Sequence, residues 1–375
     1  MRIGIDARCL EWTTGGPARY VINVLKRWPV MNPGHRYVLF FQKSVPEGDY
    51  LRHPSFEHVI IGGPRLLQRR RIVAENLVLP FAVRRAKLDV LFSPWYSSPL
   101  VTFGVKTVIG AWDITCNTHP SHYTLPDLIG FGLFMPPTCK SAAGLLTCSE
   151  YDSRQLQKYF RIPESRIKVV PYAADDRFSP APAEDVAAFR RKYGLPDRYL
   201  LSMGIIIKRR NVDVVIDAFS DIQARHPDVG LVVVGRNVTV PFVDIEKKLQ
   251  PLVQAGRAKY FPRAPEEDLA NFYRGAWYYV CTSTVDGESL MLKEAMKCGT
   301  PVVTSPLLEE TVGGAAVMLG DPTSRAETSA VLDHVLSHPE LREDYRARAL
   351  AFVNTLSWDT VAADSLRFIE ASAVA

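Results

Sequence analysis

VDGESLMLKEAMKCGTPVVTS, residues 285–305, joins a small-residue turn, a helix start and a buried strand, and its reading decides the fold around it. LMLKEAMK places apolar residues at helical spacing among strong helix formers, and PVVTS is a β-branched run suited to a buried strand. Ahead of the helix, Asp286, Gly287 and Ser289 form the turn. A helix start beneath such a turn presents unpaired N–H groups and the positive end of the helix dipole, which suit an anion such as a diphosphate. Asp286 stands on the turn and Glu294 two helical turns inside, and carboxylates accept hydrogen bonds from hydroxyls. The arrangement fits a grip on both ends of a nucleotide sugar. An ordinary helix with a surface Asp and a solvated Glu is the plainer alternative.

Outward from this segment, strands rich in Val, Ile and Leu alternate with helical patterns of about ten to fifteen residues, which argues for parallel sheets covered on both faces. MRIGIDARCL reads as a first strand. Gly15 and Gly16 then precede the helical pattern PARYVINVLKRW; they either let a ligand approach the backbone or simply turn the chain. No GxGxxG is present, which argues against a nicotinamide-binding first unit. YLLSMGIIIKRRNVDVVIDAF, 199–219, reads as strand, loop and helix, GLVVVGRN, 230–237, as a buried strand, and 259–285 as strand, helix and strand. A chain of 375 residues with 47% hydrophobic composition exceeds one typical core and suits two domains, with 171–198 reading as the link. The expected fold is α/β, two Rossmann-like domains with parallel sheets facing across a cleft, and ligands near the carboxyl ends of the strands.

The 285–305 segment resembles the signature of the family 4 (group 1) retaining glycosyltransferases, E-G-F-G-L-x-x-L-E-A-M-A-C-G-x-P-V. Aligned on EAMKCGTPVV, Glu294 falls on the second glutamate, which in the family holds the nucleotide ribose. Asp286 falls on the first, which holds donor sugar hydroxyls, and is one methylene shorter. Gly287 and Leu290 match, Ser289 replaces a glycine, and Glu288 occupies the aromatic position. Gly15 and Gly16 with Arg19 and Tyr20 are similar to the family's glycine-rich opening. Gly204, Arg209, Arg210 and Asn211 match its loop of glycine, Arg-Lys and Asn, with Arg210 where Lys is usual; adjacent cations there neutralise a leaving diphosphate. Arg263 lies on the loop that faces the nucleobase in relatives.

In relatives, the strand equivalent to KTVIGAW ends in His-Asp-Leu. Here Trp112 replaces the histidine and Asp113 follows. An indole N–H only donates, so Trp112 is expected to stack on a sugar or to close the site to water. His119 and His122, the nearest imidazoles, read as surface or packing residues. Trp95, Tyr96, Trp112 and Asp113 are the acceptor-side candidates.

The resemblance implies the GT-B fold, with an acceptor-side domain over 1–170, a donor-binding domain over 171–357 and a last helix, 358–375, packing back on the first domain. It implies transfer of a hexose, GDP-mannose first, to a hydroxyl of a glycan or lipid-linked acceptor with retention, as in bacterial mannosyltransferases of polysaccharide biosynthesis. Asp286, Arg209, Arg210, Glu294 and Asp113 form the expected catalytic set. Gly15, Gly16, Gly204, Arg263, Gly287, Ser289, Leu290 and Met291 join all of these except Asp113 in donor binding, with no metal and no cofactor. Nucleotide-sugar epimerase, glycan phosphorylase and a non-catalytic nucleotide-sugar-binding scaffold are the competing readings; no pyridoxal phosphate lysine is identified.

The net charge of +5 is too small for wholesale nucleic-acid binding. Residues 64–89 concentrate Arg65, Arg69, Arg70, Arg71, Arg84, Arg85 and Lys87 around an apolar helical stretch. Such a stretch lies on an anionic membrane or packs in a core with solvated ends. No run is apolar enough to span a bilayer, and no secretory signal or CxxC spacing occurs. The expected location is cytoplasmic, with peripheral contact at the inner face of the membrane.

Overall fold

The structure, a computed structural model, describes residues 1–11, 15–62 and 71–374. Arg65, Arg69 and Arg70 lie outside the described residues. The chain divides into two compact units, Met1–Tyr172 with Ser357–Ala375, and Ala173–Leu356.

In the first unit, seven parallel strands run in the order β3-β2-β1-β4-β5-β6-β7. They are β1 (Arg2–Asp6), β2 (Arg36–Phe41), β3 (Phe56–Ile60), β4 (Val90–Ser93), β5 (Lys106–Gly110), β6 (Gly144–Thr147) and β7 (Ile167–Val169). The helix Gly16–Met31 follows β1. The last helix, Trp358–Val374, packs on it: Trp28 Nε1 donates to the Ala362 carbonyl at 2.8 Å, and Arg27 pairs with Asp359 at 2.5 Å. Its buried Val361, Ala362, Ser365, Leu366, Ile369 and Ser372 follow the three-to-four spacing of one helix face.

In the second unit, six parallel strands run β10-β9-β8-β11-β12-β13. They are β8 (Arg198–Met203), β9 (Val229–Val234), β10 (Ala258–Phe261), β11 (Tyr278–Cys281), β12 (Val302–Thr304) and β13 (Val317–Met318). Successive residues of one strand feed opposite cores. Leu201, Tyr279 and Val302 join one cluster, while Leu200, Tyr278 and Val303 join the other, as period-two alternation in a sheet covered on both faces requires.

Strand order reverses between β1 and β4 in one unit and between β8 and β11 in the other. In doubly wound sheets the carboxyl ends of such a strand pair open the crevice that takes ligands.

Two segments differ from the sequence reading. Most of 171–198 is not a link but part of the second unit, because Ala183–Tyr193 is a helix whose Phe189 packs in the core. Among the described residues of 64–89, the helical stretch is two short helices, Arg71–Leu77 and Leu79–Ala86. The break falls at Val78, two residues before Pro80, which lacks an N–H to continue a helix.

Candidate functional site

The second unit gathers its candidates at the switch point. After β8 the chain passes Gly204, makes a single 3-10 turn over Lys208–Arg210, takes a left-handed step at Asn211 (φ +45°) and enters the helix Val212–Ile222. After β11 it runs through Thr282–Ser289 into the helix Leu290–Lys297. Side chains and backbone stitch these loops together. Asn211 Nδ2 donates to the Thr282 carbonyl at 2.9 Å, Thr282 Oγ1 donates to the Arg210 carbonyl at 2.8 Å, and Thr284 N donates to the Arg209 carbonyl at 2.8 Å.

The stitching delivers Arg210 to the start of the Leu290–Lys297 helix. Its Nη1 lies 3.1 Å from the Ile205 carbonyl and 3.6 Å from Met291 Sδ. Gly204 makes room for it. With φ at +124°, a Cβ there would sit 2.3 Å from Arg210 Nη1 and 2.4 Å from Met291 Sδ, so a side chain would displace both. Gly235 lies against the same loop, where a Cβ would meet the Gly204 carbonyl oxygen at 1.8 Å.

Both carboxylates of the motif are buried, Asp286 at 8% exposure and Glu294 at 2%. Glu294 Oε2 accepts from Tyr273 Oη at 3.1 Å, which fixes the acid from the neighbouring helix Leu269–Gly275. Arg210 and Asp286 act on the same buried groups. Burial pushes the Cys281 thiol and the Tyr279 phenol above their ordinary pKa values; the Arg210 charge opposes that rise and the Asp286 charge adds to it. A cation and a carboxylate thus flank the carboxyl end of β11.

Ser289 is the N-cap residue of the Leu290–Lys297 helix, yet its side chain caps no backbone N–H, and Ser289 Oγ is buried without a hydrogen bond. The helix start therefore remains open to an anion. Leu290 and Met291 form its half-buried first turn. Arg263 is exposed on the loop after β10. Glu288 is not solvated: it is ion-paired with Lys293, and each side chain is 2% exposed. Nothing in its sequence neighbourhood signals this, because Lys293 sits in a helix that otherwise reads as amphipathic.

In the first unit, Gly15 is the N-cap residue of Gly16–Met31 with φ −71°, so neither it nor Gly16 is demanded by a left-handed backbone. Asp113 Oδ1 accepts from Thr115 N at 2.5 Å and so shapes the turn after β5. Trp95 and Tyr96 are half-buried, with ring centroids 5.8 Å apart. His119 and His122 stack on each other at 5.7 Å.

Trp112 corrects the expectation that it offers a face to a sugar. It is 4% exposed, and its Nε1 donates to the Pro94 carbonyl at 2.7 Å. Its ring packs 4.6 Å from Tyr20 and 5.4 Å from Tyr172, which in turn stacks on Trp358 at 5.9 Å. The indole is core, holding the first helix, the end of β5 and the last helix together.

A charged network missed in the sequence lies at the first unit's switch point. Arg8, just after β1, donates to Asp6 Oδ1 and Oδ2 at 2.7 and 2.6 Å and pairs with Glu75 at 3.0 Å; Ser97 Oγ donates to Glu75 at 2.6 Å. All four are buried. Burial alone would lower the Arg8 pKa, but the two carboxylates outweigh it and hold Arg8 above its ordinary value. Only the DAR order of Asp6-Ala7-Arg8 hinted at it.

Comparison with known proteins places this geometry. Residues 185–351 match the model of the group 1 glycosyl transferases. Over 96% of its length the chain is 26% identical to the O-antigen chain mannosyltransferase B of Escherichia coli, covering 97% of that protein. Among solved structures it resembles WaaG, a glycosyltransferase involved in lipopolysaccharide biosynthesis, with a TM-score of 0.76, 16% identity and 98% and 99% of the two chains covered. It also resembles Anabaena Alr3699/HepE in complex with UDP and glucose, with a TM-score of 0.71, 14% identity and 99% and 100% covered. The match to the group 1 glycosyl transferase model lies within the second unit, and the two Rossmann-like sheets have the GT-B fold of these solved structures.

Proposed function

We propose that this GT-B glycosyltransferase moves a hexose, mannose from GDP-mannose first, from a nucleotide diphosphate sugar to a hydroxyl of a glycan or lipid-linked acceptor, with retention. The observation that carries the reading is the Arg210 guanidinium held over Gly204 at the start of the Leu290–Lys297 helix, with Glu294 further along that helix. Charge grows on the departing diphosphate as the glycosidic bond breaks. Arg209, Arg210 and the open helix N-terminus stabilise it, the electrostatic contribution that commonly dominates such steps. Asp286 and Glu294 receive sugar and ribose hydroxyls, with Gly287, Ser289, Leu290 and Met291 lining the approach and Arg263 near the base. Gly15 and Gly16, at the start of the Gly16–Met31 helix, are the donor-binding candidates of the first unit.

Mannose leads among the hexoses because a relative similar over nearly the full length of both chains is a mannosyltransferase. Trp95, Tyr96 and Asp113 are the acceptor-side candidates that remain near the surface of their unit. Peripheral contact with an anionic membrane at its cytoplasmic face is supported by Leu77 and Phe81, 60% and 55% exposed, beside Arg84, Arg85 and Lys87.

The test is release of nucleoside diphosphate from GDP-mannose and UDP-hexoses in the presence of lipid-linked glycans, with the anomeric configuration of the product read by NMR. Acceptor-dependent release with retention supports the reading. Donor converted without acceptor favours an epimerase, and nucleotide bound without turnover favours a scaffold.

A further inference from the structure

The turn entering the Leu290–Lys297 helix is fastened by a charge pair that the donor reading leaves without a role. Lys293 Nζ donates to Glu288 Oε1, and both side chains are almost fully excluded from solvent. Ser289 is the cap residue, so Glu288 stands just before the cap and Lys293 is the fourth helical residue. At these two positions helices often clamp an apolar pair across the first turn, which fixes the angle at which the chain enters. The signature this segment resembles has an aromatic residue and a leucine there; this chain has opposite charges.

We infer that Glu288 and Lys293 form an ionic staple: positioning residues that set the entry angle of the Asp286–Gly287 turn and thereby the separation of Asp286 from Glu294. The inference rests on the proposed donor role of those two carboxylates. Glu288 lies two residues after Asp286, and Lys293 immediately precedes Glu294, so a tilt at the staple reaches both acids. The pair also has an electrostatic task. Asp286, Glu288 and Glu294 place three buried carboxylate side chains within nine residues, and like charges gathered in a buried site repel one another. Lys293 supplies a cation inside the cluster. Because Asp286 is shorter than a glutamate, its oxygens depend more on where the backbone places them.

A buried pair broken on one side leaves an uncompensated charge, whereas exchange of both partners for apolar groups is commonly tolerated. The full chain is therefore compared as wild type, E288F, K293L and E288F/K293L. Amide hydrogen exchange is followed over residues 284–290, and calorimetric binding is measured for GDP, UDP and their hexose conjugates. Each single variant is expected to exchange at least tenfold faster in the turn and to bind nucleotide at least tenfold more weakly. The double variant, an apolar staple, is expected to recover both to within about threefold. Single variants that exchange and bind as wild type overturn the inference. So does a double variant that folds but stays as weak as the singles, because a charge then acts on the ligand directly. If the wild type binds no nucleotide, the donor reading fails and the exchange rates alone decide the staple.

Discussion

Replacing Gly204 with Ala isolates the contribution of Arg210. The new Cβ would fall 2.3 Å from Arg210 Nη1 and 2.4 Å from Met291 Sδ, at a φ of +124°. Both obstructing atoms are ends of flexible side chains, so relief comes from swinging Arg210 and Met291 away rather than from moving the sheet. Backbone strain of this kind costs about 1–3 kcal/mol. At ~2–4 °C per kcal/mol for a domain of this size, the melting temperature falls by roughly 2–12 °C. Loss of a hydrogen bond from a charged group to the diphosphate removes about 1.5–3 kcal/mol more, a ~10- to 150-fold rise in Kd for the nucleotide. The control is Gly256→Ala, also at positive φ (+69°) but with nothing within 4 Å of its Cβ. It should lose stability and keep nucleotide affinity. Thermal denaturation and calorimetry on the two variants read both quantities. Gly204→Ala binding nucleotide as tightly as wild type, or Gly256→Ala weakening it equally, would refute the reasoning.

Two further outcomes follow from the first unit. Trp112→Ala removes an indole packed against Tyr20 and Tyr172 and should cost about 3–5 kcal/mol in urea unfolding; a cost near zero would contradict its place in the core. Arg8→Leu leaves Asp6 and Glu75 buried together without their cation and should cost a similar ~3–5 kcal/mol, while Arg8→Leu with Glu75→Leu should recover part of that loss.

The sequence disclosed what is local. Leu290–Lys297 is the stretch LMLKEAMK that helical spacing picked out, and Asp286, Gly204 and Arg210 stood out as candidates because a turn, a glycine and a cation each leave a mark within a few residues. What stayed hidden depends on distant chain. Trp112 looked like a free aromatic because Tyr20 and Tyr172, which pack against it, are far away in the sequence. Arg8 finds Glu75 across 67 positions, and no periodicity couples them. The pairing of Glu288 with Lys293 leaves no mark in the sequence, because it depends on the burial of both side chains. The break at Val78 was readable in principle from Pro80, but the apolar run on both sides masked it.

The most direct measurement is calorimetric binding of GDP, UDP and their hexose conjugates, without added metal, to wild type and Glu294→Ala. Selective binding by the wild type that Glu294→Ala largely abolishes is the predicted result. Binding of no nucleotide by the wild type, or equal binding by both, would contradict a donor site built on Arg209, Arg210 and Glu294.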